Sequence, residues 1–255
     1  MNIAILGDIH ANLPALETVL AALDARGDID ATYHIGDLVG YAPWPNETVA
    51  LITARGIAGV SGNYDSTVAH HYKHCGCKYE DAHQEALSHL SFEWTKSHTS
   101  DSTKLALRAL PFSLTRRPYG GHVSGPALVL VHGTPTLNTL YWNAERTDDF
   151  CRQMAATAGL KAGDVIAFGH THKAWHRVVD GIHFVNAGSV GRPKDGDPRT
   201  GYVQIRISTK DVEVEFVRIP YDVQAAMRGI LDSTLPDEFA EFLRTGGRLS
   251  APASS

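Results

Sequence analysis

Apolar residues in the first part of the chain alternate between short continuous runs and helical spacing. The run at residues 3–6 predicts a strand, and apolar positions three and four apart across residues 16–23 predict a helix after it. Asn12 can cap that helix, and Gly27 can end it. The chain is therefore expected to begin with a strand, a loop and a helix.

The same alternation then repeats, with strands predicted at 31–35 and 57–60 and a helix predicted at 46–55 between them. This alternation favours parallel or mixed strand pairing, which gathers the residues at the strand ends along one edge of a sheet. Each of the three strands runs into a glycine followed by a polar residue, namely Gly7-Asp8, Gly36-Asp37 and Gly62-Asn63.

Residues 66–110 form a polar segment that carries several histidines and two cysteines. Helical spacing is present across residues 86–94, but strand signals are few, so we predict a helical insertion and call it the lid segment. Beyond it, apolar runs at 128–131 and 165–168 again predict strands, and these run into His132 and into Gly169-His170.

The last third of the chain predicts two hairpins, from runs at 175–179 with 182–185 and at 202–207 with 212–219. Helices are expected at 222–231 and 237–243, and residues 246–255 are expected to form a flexible tail. No solenoid-type repeat interrupts the pattern. We therefore expect one domain over residues 1–245.

Composition narrows the class of protein. Of 255 residues, 43% are apolar and 20% are charged, which predicts a folded chain with a substantial core. The net charge of -5 argues against a partner such as long nucleic acid. No run reaches membrane-spanning length and the start lacks a basic leader, so we expect a cytoplasmic protein with no membrane partner. Three cysteines agree with a reducing compartment.

Seven residues of metal-ligand type stand at or just after the ends of predicted strands. They offer only oxygen and imidazole donors, which suit manganese, iron, cobalt, nickel or zinc. Seven ligands exceed one ordinary coordination sphere, whereas a carboxylate such as Asp37 can bridge two ions about 3.5–4 Å apart. A pair of ions would leave a positive centre that attracts a phosphate ester. The seven residues are Asp8, His10, Asp37, Asn63, His132, His170 and His172.

Taken together, five motifs resemble those of the calcineurin-like metallophosphoesterases, and the match spans residues 8–172. The resemblance implies a four-layer αββα sandwich of two mixed sheets flanked by helices, two divalent metal ions, with manganese favoured, and a metal-bridging hydroxide as nucleophile. The segment 186–191 looks most like small bacterial and archaeal members. The motifs are Gly7-Asp8-Ile9-His10, Gly36-Asp37, Gly62-Asn63-x-Asp65, His132 and Gly169-His170-Thr171-His172.

The resemblance also assigns roles to individual residues. One ion would be held by Asp8, His10, Asp37 and His172, and the other by Asp37, Asn63, His132 and His170. The expected catalytic residues are Asp37, Asn63, Tyr64 and Asp65.

Residue 64 separates two kinds of phosphoesterase. Many family members carry histidine there, but this chain has Tyr64, whose ordinary pKa of about 10 makes it a poor proton donor near neutral pH. Asp65, which would orient such a histidine, loses its assumed role. The sequence therefore predicts a phosphodiesterase acting on a small or nucleotide-like substrate. The alternatives are a phosphomonoesterase or protein phosphatase and, less favoured because all seven ligand positions are chemically competent, a metal-binding scaffold without catalysis.

Two further sets of residues each have two possible roles. The first set can form a separate metal or redox site, but a polar lid is favoured because Cys-x-Cys lacks the spacing of structural zinc sites. It comprises His70, His71, His74, Cys75, Cys77 and His83. In the second set, Arg192, Lys194 and Arg199 lie in a turn-rich segment that is either a plain loop or a phosphate-binding rim.

The remaining histidines lack partners at ligand spacing and are expected to have structural or solvated roles. These are His34, His89, His98, His122, His176 and His183. The sequence does not indicate the oligomeric state.

Overall fold

Ten strands in two sheets form the centre of the computed structural model, which describes residues 1–77, 81–118 and 125–248. In chain order the strands are β1 (Asn2–Leu6), β2 (Ala31–His34), β3 (Ala58–Gly59), β4 (Ser113–Arg116), β5 (Leu128–Val131), β6 (Val165–Phe168), β7 (Trp175–Val179), β8 (Ile182–Asn186), β9 (Thr200–Ile207) and β10 (Val212–Ile219).

The strand order is β10-β9-β1-β2-β3 in the first sheet and β4-β5-β6-β8-β7 in the second. Strands β1, β2 and β3 pair in parallel, whereas β9 pairs antiparallel with β1 and β10. In the second sheet β5, β6 and β8 are parallel, and β4 and β7 pair antiparallel at the two edges. Both sheets are therefore mixed, as the sequence predicted.

Helices flank the two sheets. In the described residues they are α1 (Leu13–Arg26), α2 (Pro45–Ala54), α3 (Asn63–Ala69), α4 (Ala82–His98), α5 (Asp101–Arg108), α6 (Asp148–Thr157), α7 (Val223–Leu231) and α8 (Glu238–Thr245). The side chain of Asn12 accepts a hydrogen bond from the Ala15 amide, and Gly27 ends α1 with a left-handed φ of 69°, as predicted. No helix in these parts of the chain is both long and apolar enough to span a membrane.

Alternate residues of each central strand pack in opposite directions, which creates the four layers. From β1, Ile3 and Ile5 join a core cluster shared with β5 and β6, whereas Ala4 and Leu6 pack in a cluster with α1. In the second sheet, residues of β5 and β6 on the opposite face pack with α6. Strands covered on both faces are continuously apolar, which explains the runs seen in the sequence. The four-layer sandwich is thus confirmed.

Several elements were not predicted from the sequence. Strand β4 lies at a sheet edge and is only half buried, so its sequence lacks an apolar run. Helix α3 begins directly at a motif residue and is seven residues long. Helix α6 did carry a signal, because Thr147 caps it and Cys151, Met154 and Ala155 are buried at helical spacing.

The lid segment contains the last four residues of α3 together with α4 and α5. It is joined to the rest of the chain by contacts between α2 and α5 and by the packing of Leu87 against α7 and α8. Its behaviour as a lid stays a prediction, as does the extent of the domain. Of the predicted tail at 246–255, residues 249–255 lie outside the described residues. Gly246 accepts a hydrogen bond of 2.8 Å from the Gly196 amide, so this end of the tail is held in place.

Candidate metal centre

The seven ligand-type residues converge where strands of the two sheets end. Asp8 and His10 follow β1, Asp37 follows β2, and Asn63 lies after β3 at the start of α3. From the second sheet, His132 follows β5, and His170 and His172 follow β6. All seven side chains are buried. The structure therefore brings together every residue that the motifs selected, although their metal-binding role stays a prediction.

Six of them form two groups in which the potential donor atoms all lie within 4.8 Å of one another. One group is Asp8, His10 and His172, and the other is Asp37, His132 and His170. The Oδ2 atom of Asp37 lies 3.4 Å from Nε2 of His132 and 3.7 Å from Nε2 of His10. This carboxylate is therefore placed between the two groups, as a bridging ligand requires.

The remaining ligand-type residue, Asn63, joins the second group. Its Oδ1 lies 3.0 Å from Nε2 of His132. Its amide Nδ2 donates to the carbonyl of Cys75, at 2.9 Å, so the orientation of the amide is fixed with the oxygen toward the centre.

All four histidines are oriented by backbone carbonyl groups. A carbonyl only accepts hydrogen bonds, so the ring nitrogen that contacts it carries the proton, and the other nitrogen offers a lone pair. Histidine ligands of metals are typically held this way. The contacts are His10 Nδ1 to Val39 O (3.0 Å), His132 Nδ1 to Ile35 O (2.8 Å), His172 Nδ1 to Arg192 O (2.6 Å) and His170 Nε2 to Thr139 O (3.2 Å).

One contact tests whether these residues fit a metal ion. The Nε2 atoms of His10 and His172 lie 3.0 Å apart, and both rings already place a proton on Nδ1. Two lone pairs that face each other at this distance repel, unless a cation lies between or beside them. The donor set of buried imidazoles and carboxylates therefore fits a divalent transition metal.

The backbone at the centre is strained. Five of the seven residues have left-handed φ values, which cost side-chain-bearing residues about 1–3 kcal/mol each and persist where the surroundings hold them. They are Asp8 (40°), His10 (49°), Asp37 (50°), His170 (66°) and His172 (60°). The hydrogen bond from the His10 amide to the Asp37 carbonyl, 2.9 Å, is one contact that holds this geometry.

The motif glycines keep space for the carboxylates. A Cβ atom on Gly62 would collide with Oδ1 of Asp37, and one on Gly169 would collide with Oδ2 of Asp8. The His170 amide donates to both oxygens of Asp8, at 3.1 and 3.2 Å, across this glycine. The Gly-Asp and Gly-His motifs thus pack against each other between the sheets.

Burial keeps three of the histidines neutral. It lowers the pKa of His10 and His170 to about 3, and it lowers the pKa of His172 well below its usual range. Neutral imidazole is the form that binds a metal ion, so these side chains need lose no proton when an ion arrives.

The carboxylates, in contrast, need a cation nearby. Burial raises the pKa of Asp8 to about 7, and the charge of Asp37 adds to this effect. Burial also raises the pKa of Asp37, but the neighbouring His132 outweighs it and holds that pKa below its usual range. For His132, burial lowers the pKa, yet Asp37 outweighs that effect and raises it to about 9. A divalent ion would take over the role of this proton.

Comparison with known proteins identifies the family. The family model of the calcineurin-like phosphoesterase superfamily domain matches residues 1–210. The chain belongs to this superfamily. Its members depend on a pair of metal ions, which agrees with the two groups of ligands, and membership implies a hydrolase that acts on phosphate esters.

Other relatives agree over nearly the whole length of the chain. An uncharacterized protein of Methanocaldococcus jannaschii is 29% identical, with 96% of this chain and 98% of that protein covered. A metallophosphoesterase from Sphaerobacter thermophilus superposes with a TM-score of 0.71 at 24% identity, covering 96% and 99%. A hypothetical protein from Pyrococcus horikoshii has a TM-score of 0.81 at 18% identity, covering 98% and 99%. These two structures show the shared fold.

In this protein, Tyr64 and Asp65 contribute to the packing around the centre. The Tyr64 amide donates to Oδ1 of Asp37, at 2.9 Å, and its buried hydroxyl contacts Oγ of Ser91 in α4, at 3.2 Å. Burial raises the pKa of Tyr64 well above its ordinary value. Asp65 accepts from the amides of Leu38 (2.8 Å) and Gly62 (3.0 Å), so it ties together the loops after β2 and β3.

A cavity of about 550 Å³ opens from the candidate metal centre. Aromatic side chains line it from α8 and from loops, together with basic side chains. Most of these residues lie outside every motif, so no sequence signal selects them; only Lys173 adjoins a motif, directly after His172. The additional aromatic and basic lining residues are Tyr41, Tyr141, Lys173, Phe239, Phe242 and Arg248.

Two of the three predicted phosphate contacts reach this cavity. Arg192 is buried, with its guanidinium 4.0 Å from the ring centre of Tyr41 and 3.6 Å from that of Phe242, and Lys194 is half-buried. Arg199 is different, because it is exposed and pairs with Asp197 at 2.7 Å. The structure does not bring Arg199 to the cavity, so we assign it no substrate contact.

The histidines of the lid segment do not gather into a site. His70, His71, His74 and His83 are exposed and do not line the cavity. Within residues 1–77, 81–118 and 125–248, only the two groups at the strand ends have three or more such side chains in ligand geometry.

Other histidines outside the centre have local contacts, while His122 lies outside the described residues. His176 and His183 stack across the β7–β8 hairpin, with ring nitrogens 3.1 Å apart. His98 stacks on Trp94, and His34 is buried.

The two cysteines of the lid segment lie closer to the centre than the sequence suggested. Their sulfur atoms are 2.6 Å apart, and Cys77 lines the cavity, where its Sγ lies 3.4 Å from Nδ2 of Asn63. We expect Cys75→Ser with Cys77→Ser to retain hydrolysis within about threefold, because serine can accept the same hydrogen bond and the chemistry needs no thiolate nucleophile.

This expectation is checked by steady-state kinetics at saturating metal, with Cys151→Ser as a matched control because Cys151 is a buried residue of α6 and does not line the cavity. If the double variant folds normally but loses most of its activity, the cysteine pair takes part in the reaction and the expectation is wrong.

Proposed function

We propose that this protein is a dinuclear-metal-dependent phosphodiesterase that hydrolyses a small or nucleotide-like phosphate ester. The observation that carries the proposal is the pair of buried ligand groups, with Asp37 between them, at the base of a cavity that also presents Arg192 and Lys194. Manganese is the expected metal, with iron, zinc, nickel or cobalt as alternatives.

The residues of the chain divide the work of such a reaction. Asp8, His10, Asp37 and His172 would hold one ion, and Asp37, Asn63, His132 and His170 the other. When bound, two divalent ions supply electrophilic stabilisation of the phosphate and a nucleophile from water. Arg192 and Lys194 place positive charge on the cavity wall, and a guanidinium group binds phosphate oxygens well.

The preference for diesters rests on the absence of a suitable proton donor at residue 64. The Tyr64 hydroxyl contacts Ser91, and burial raises the pKa of Tyr64 further. The histidines nearest in sequence, His70 and His71, are exposed and outside the cavity lining. A basic alkoxide leaving group would therefore depart without a general acid at residue 64 or from these two histidines, and such an acid typically contributes 10²–10⁴-fold.

A hydrolysis screen tests the proposal. We expect Mn²⁺-dependent release of product from aryl and nucleotide phosphodiesters, measured beside matched monoesters and cyclic diesters. A His132→Ala protein purified in parallel controls for contaminating phosphatases, because it lacks a ligand of the second group. If no phosphate ester is cleaved after saturation with any of the five metals, the protein is a binding scaffold and the proposal fails.

A further inference from the structure

Arg192 and Lys194 have no carboxylate within ion-pair distance in the part of the chain that the structure describes, although Asp8 and Asp37 of the centre are near enough to Lys194 to interact with its charge. Neither side chain makes an ion pair or a side-chain hydrogen bond there. Buried charges in proteins are normally paired, because the loss of water is costly. These two cationic side chains are therefore able to bind an anion that is not part of the described chain.

Aromatic rings hold the Arg192 guanidinium in place of a carboxylate. Its central carbon lies 4.0 Å from the ring centre of Tyr41, 3.6 Å from that of Phe242 and 5.8 Å from that of Phe239. Such stacking covers the flat faces of a guanidinium and leaves its N–H donors at the edge. Arg192 lines the cavity, so this edge is available to a ligand there.

Both cations are fixed to the metal centre through the backbone. The Arg192 carbonyl accepts from Nδ1 of His172 at 2.6 Å, and the Lys194 amide lies 3.4 Å from the His172 carbonyl. Lys194 is close enough to lower the pKa of Asp8. A single nucleotide-sized molecule could therefore place one phosphate at the centre and a second anionic group at these two side chains.

The charge of the cavity exceeds what one phosphodiester needs. If two divalent ions and a hydroxide were bound beside Asp8 and Asp37, the centre would carry a single net positive charge, which one phosphodiester would neutralise. Arg192, Lys194 and the exposed Lys173 and Arg248 add four positive charges around the cavity, against Glu238. This excess positive charge favours a substrate that carries more negative charge than one phosphodiester group supplies.

We propose that the substrate is a nucleotide-sized phosphodiester that carries a second phosphate group, and that Arg192 together with Lys194 binds this second phosphate. The inference rests on the proposed function. The cavity of about 550 Å³ has room for such a molecule, and Tyr41 and Tyr141 offer aromatic surface to its organic part.

A matched pair of chromogenic diesters tests the inference. Thymidine 5′-(p-nitrophenyl phosphate) is compared with the same compound bearing a 3′-phosphate, using protein loaded with Mn²⁺. We expect kcat/KM to be about 10- to 100-fold higher for the compound with the second phosphate, as for one or two charge-assisted hydrogen bonds. Arg192→Met and, separately, Lys194→Met should each move this ratio toward one through KM.

Arg199→Met is the matched control, because Arg199 is exposed, paired with Asp197 and outside the cavity. It should leave the ratio unchanged. A ratio near one in the wild-type protein overturns the inference while leaving the proposed function intact if both compounds are cleaved. A high ratio that survives in both cavity variants also overturns it, because other groups would then bind the phosphate.

Calorimetry gives a readout that does not depend on turnover. Thymidine 3′,5′-bisphosphate should bind the Mn²⁺-loaded protein about 10-fold or more tightly than thymidine 5′-monophosphate, and Lys194→Met should remove most of the difference. If neither diester is cleaved, the proposed function fails. The binding preference then decides the second-phosphate site on its own, and equal affinities overturn it.

Discussion

Asp37→Asn is expected to lower kcat by about a thousandfold and to reduce metal binding at both positions. The Asp37 carboxylate lies within 3.7 Å of a histidine of each group, and an amide cannot supply its negative charge to two ions. Losing several kcal/mol of electrophilic stabilisation corresponds to about three powers of ten in rate. Elemental analysis after saturation with Mn²⁺, together with steady-state kinetics on a diester, measures both effects.

Asp24→Asn provides the control for this experiment, because Asp24 is exposed and pairs only with Arg55 on the surface. It should bind two ions per chain, as should the wild-type protein. Reproducible binding of at most one ion by the wild-type protein would contradict the prediction of a dinuclear centre. Full metal content in Asp37→Asn would show that the carboxylate does not bridge.

The wild-type enzyme is expected to cleave aryl and nucleotide diesters faster than matched alkyl monoesters, and Tyr64→His should selectively raise monoester turnover. The ring of Tyr64 lines the cavity 5.7 Å from that of His10, so an imidazole there would stand near the departing oxygen. A general acid typically contributes 10²–10⁴-fold, mostly for basic leaving groups. Paired kinetics on mono- and diesters at saturating metal measure the shift.

Two further variants separate the chemistry of residue 64 from its packing. Tyr64→Phe keeps the ring and loses only the contacts of the hydroxyl to Ser91 and to the Ser88 carbonyl, so both activities should change little. Tyr72→His makes the same chemical change on an exposed residue of the lid segment and should leave the ratio unaltered. Faster cleavage of alkyl monoesters than of diesters by the wild-type enzyme would contradict the proposed substrate preference.

The sequence predicts the fold and the candidate metal centre correctly where the signals are local, in apolar runs and in short motifs. Buried strands produce continuous apolar runs, so 128–131 and 165–168 were located to the residue. Glycines next to Asp8, Asp37 and His170 marked the strand ends, because a side chain at such positions would strike the backbone or a carboxylate. Within each sheet, the rule that parallel strands end at one edge was enough to gather these residues, whereas the two edges face each other only because the sheets pack together.

What the sequence could not show was set by contacts between distant parts of the chain. Phe239 and Phe242 line the cavity from α8, which is far from every motif along the sequence. The hydroxyl of Tyr64 turns to Ser91 because α4 packs beside α3, which no local pattern reveals. Arg199 and Arg192 look alike in the sequence, and only the structure separates the surface ion pair from the buried, aromatic-stacked cation.

Each group of ligands draws on both sheets. Asp8 and His10 come from the first sheet and His172 from the second, while Asp37 from the first meets His132 and His170 from the second. An ion bound to either group therefore fastens one sheet to the other, and its binding free energy adds to that of folding, by about 2.7 kcal/mol at a hundredfold excess over Kd. Substitutions that loosen the contact between the sheets will then weaken metal affinity without touching a ligand, and scarcity of metal will shorten the lifetime of the folded protein as well as slow its reaction.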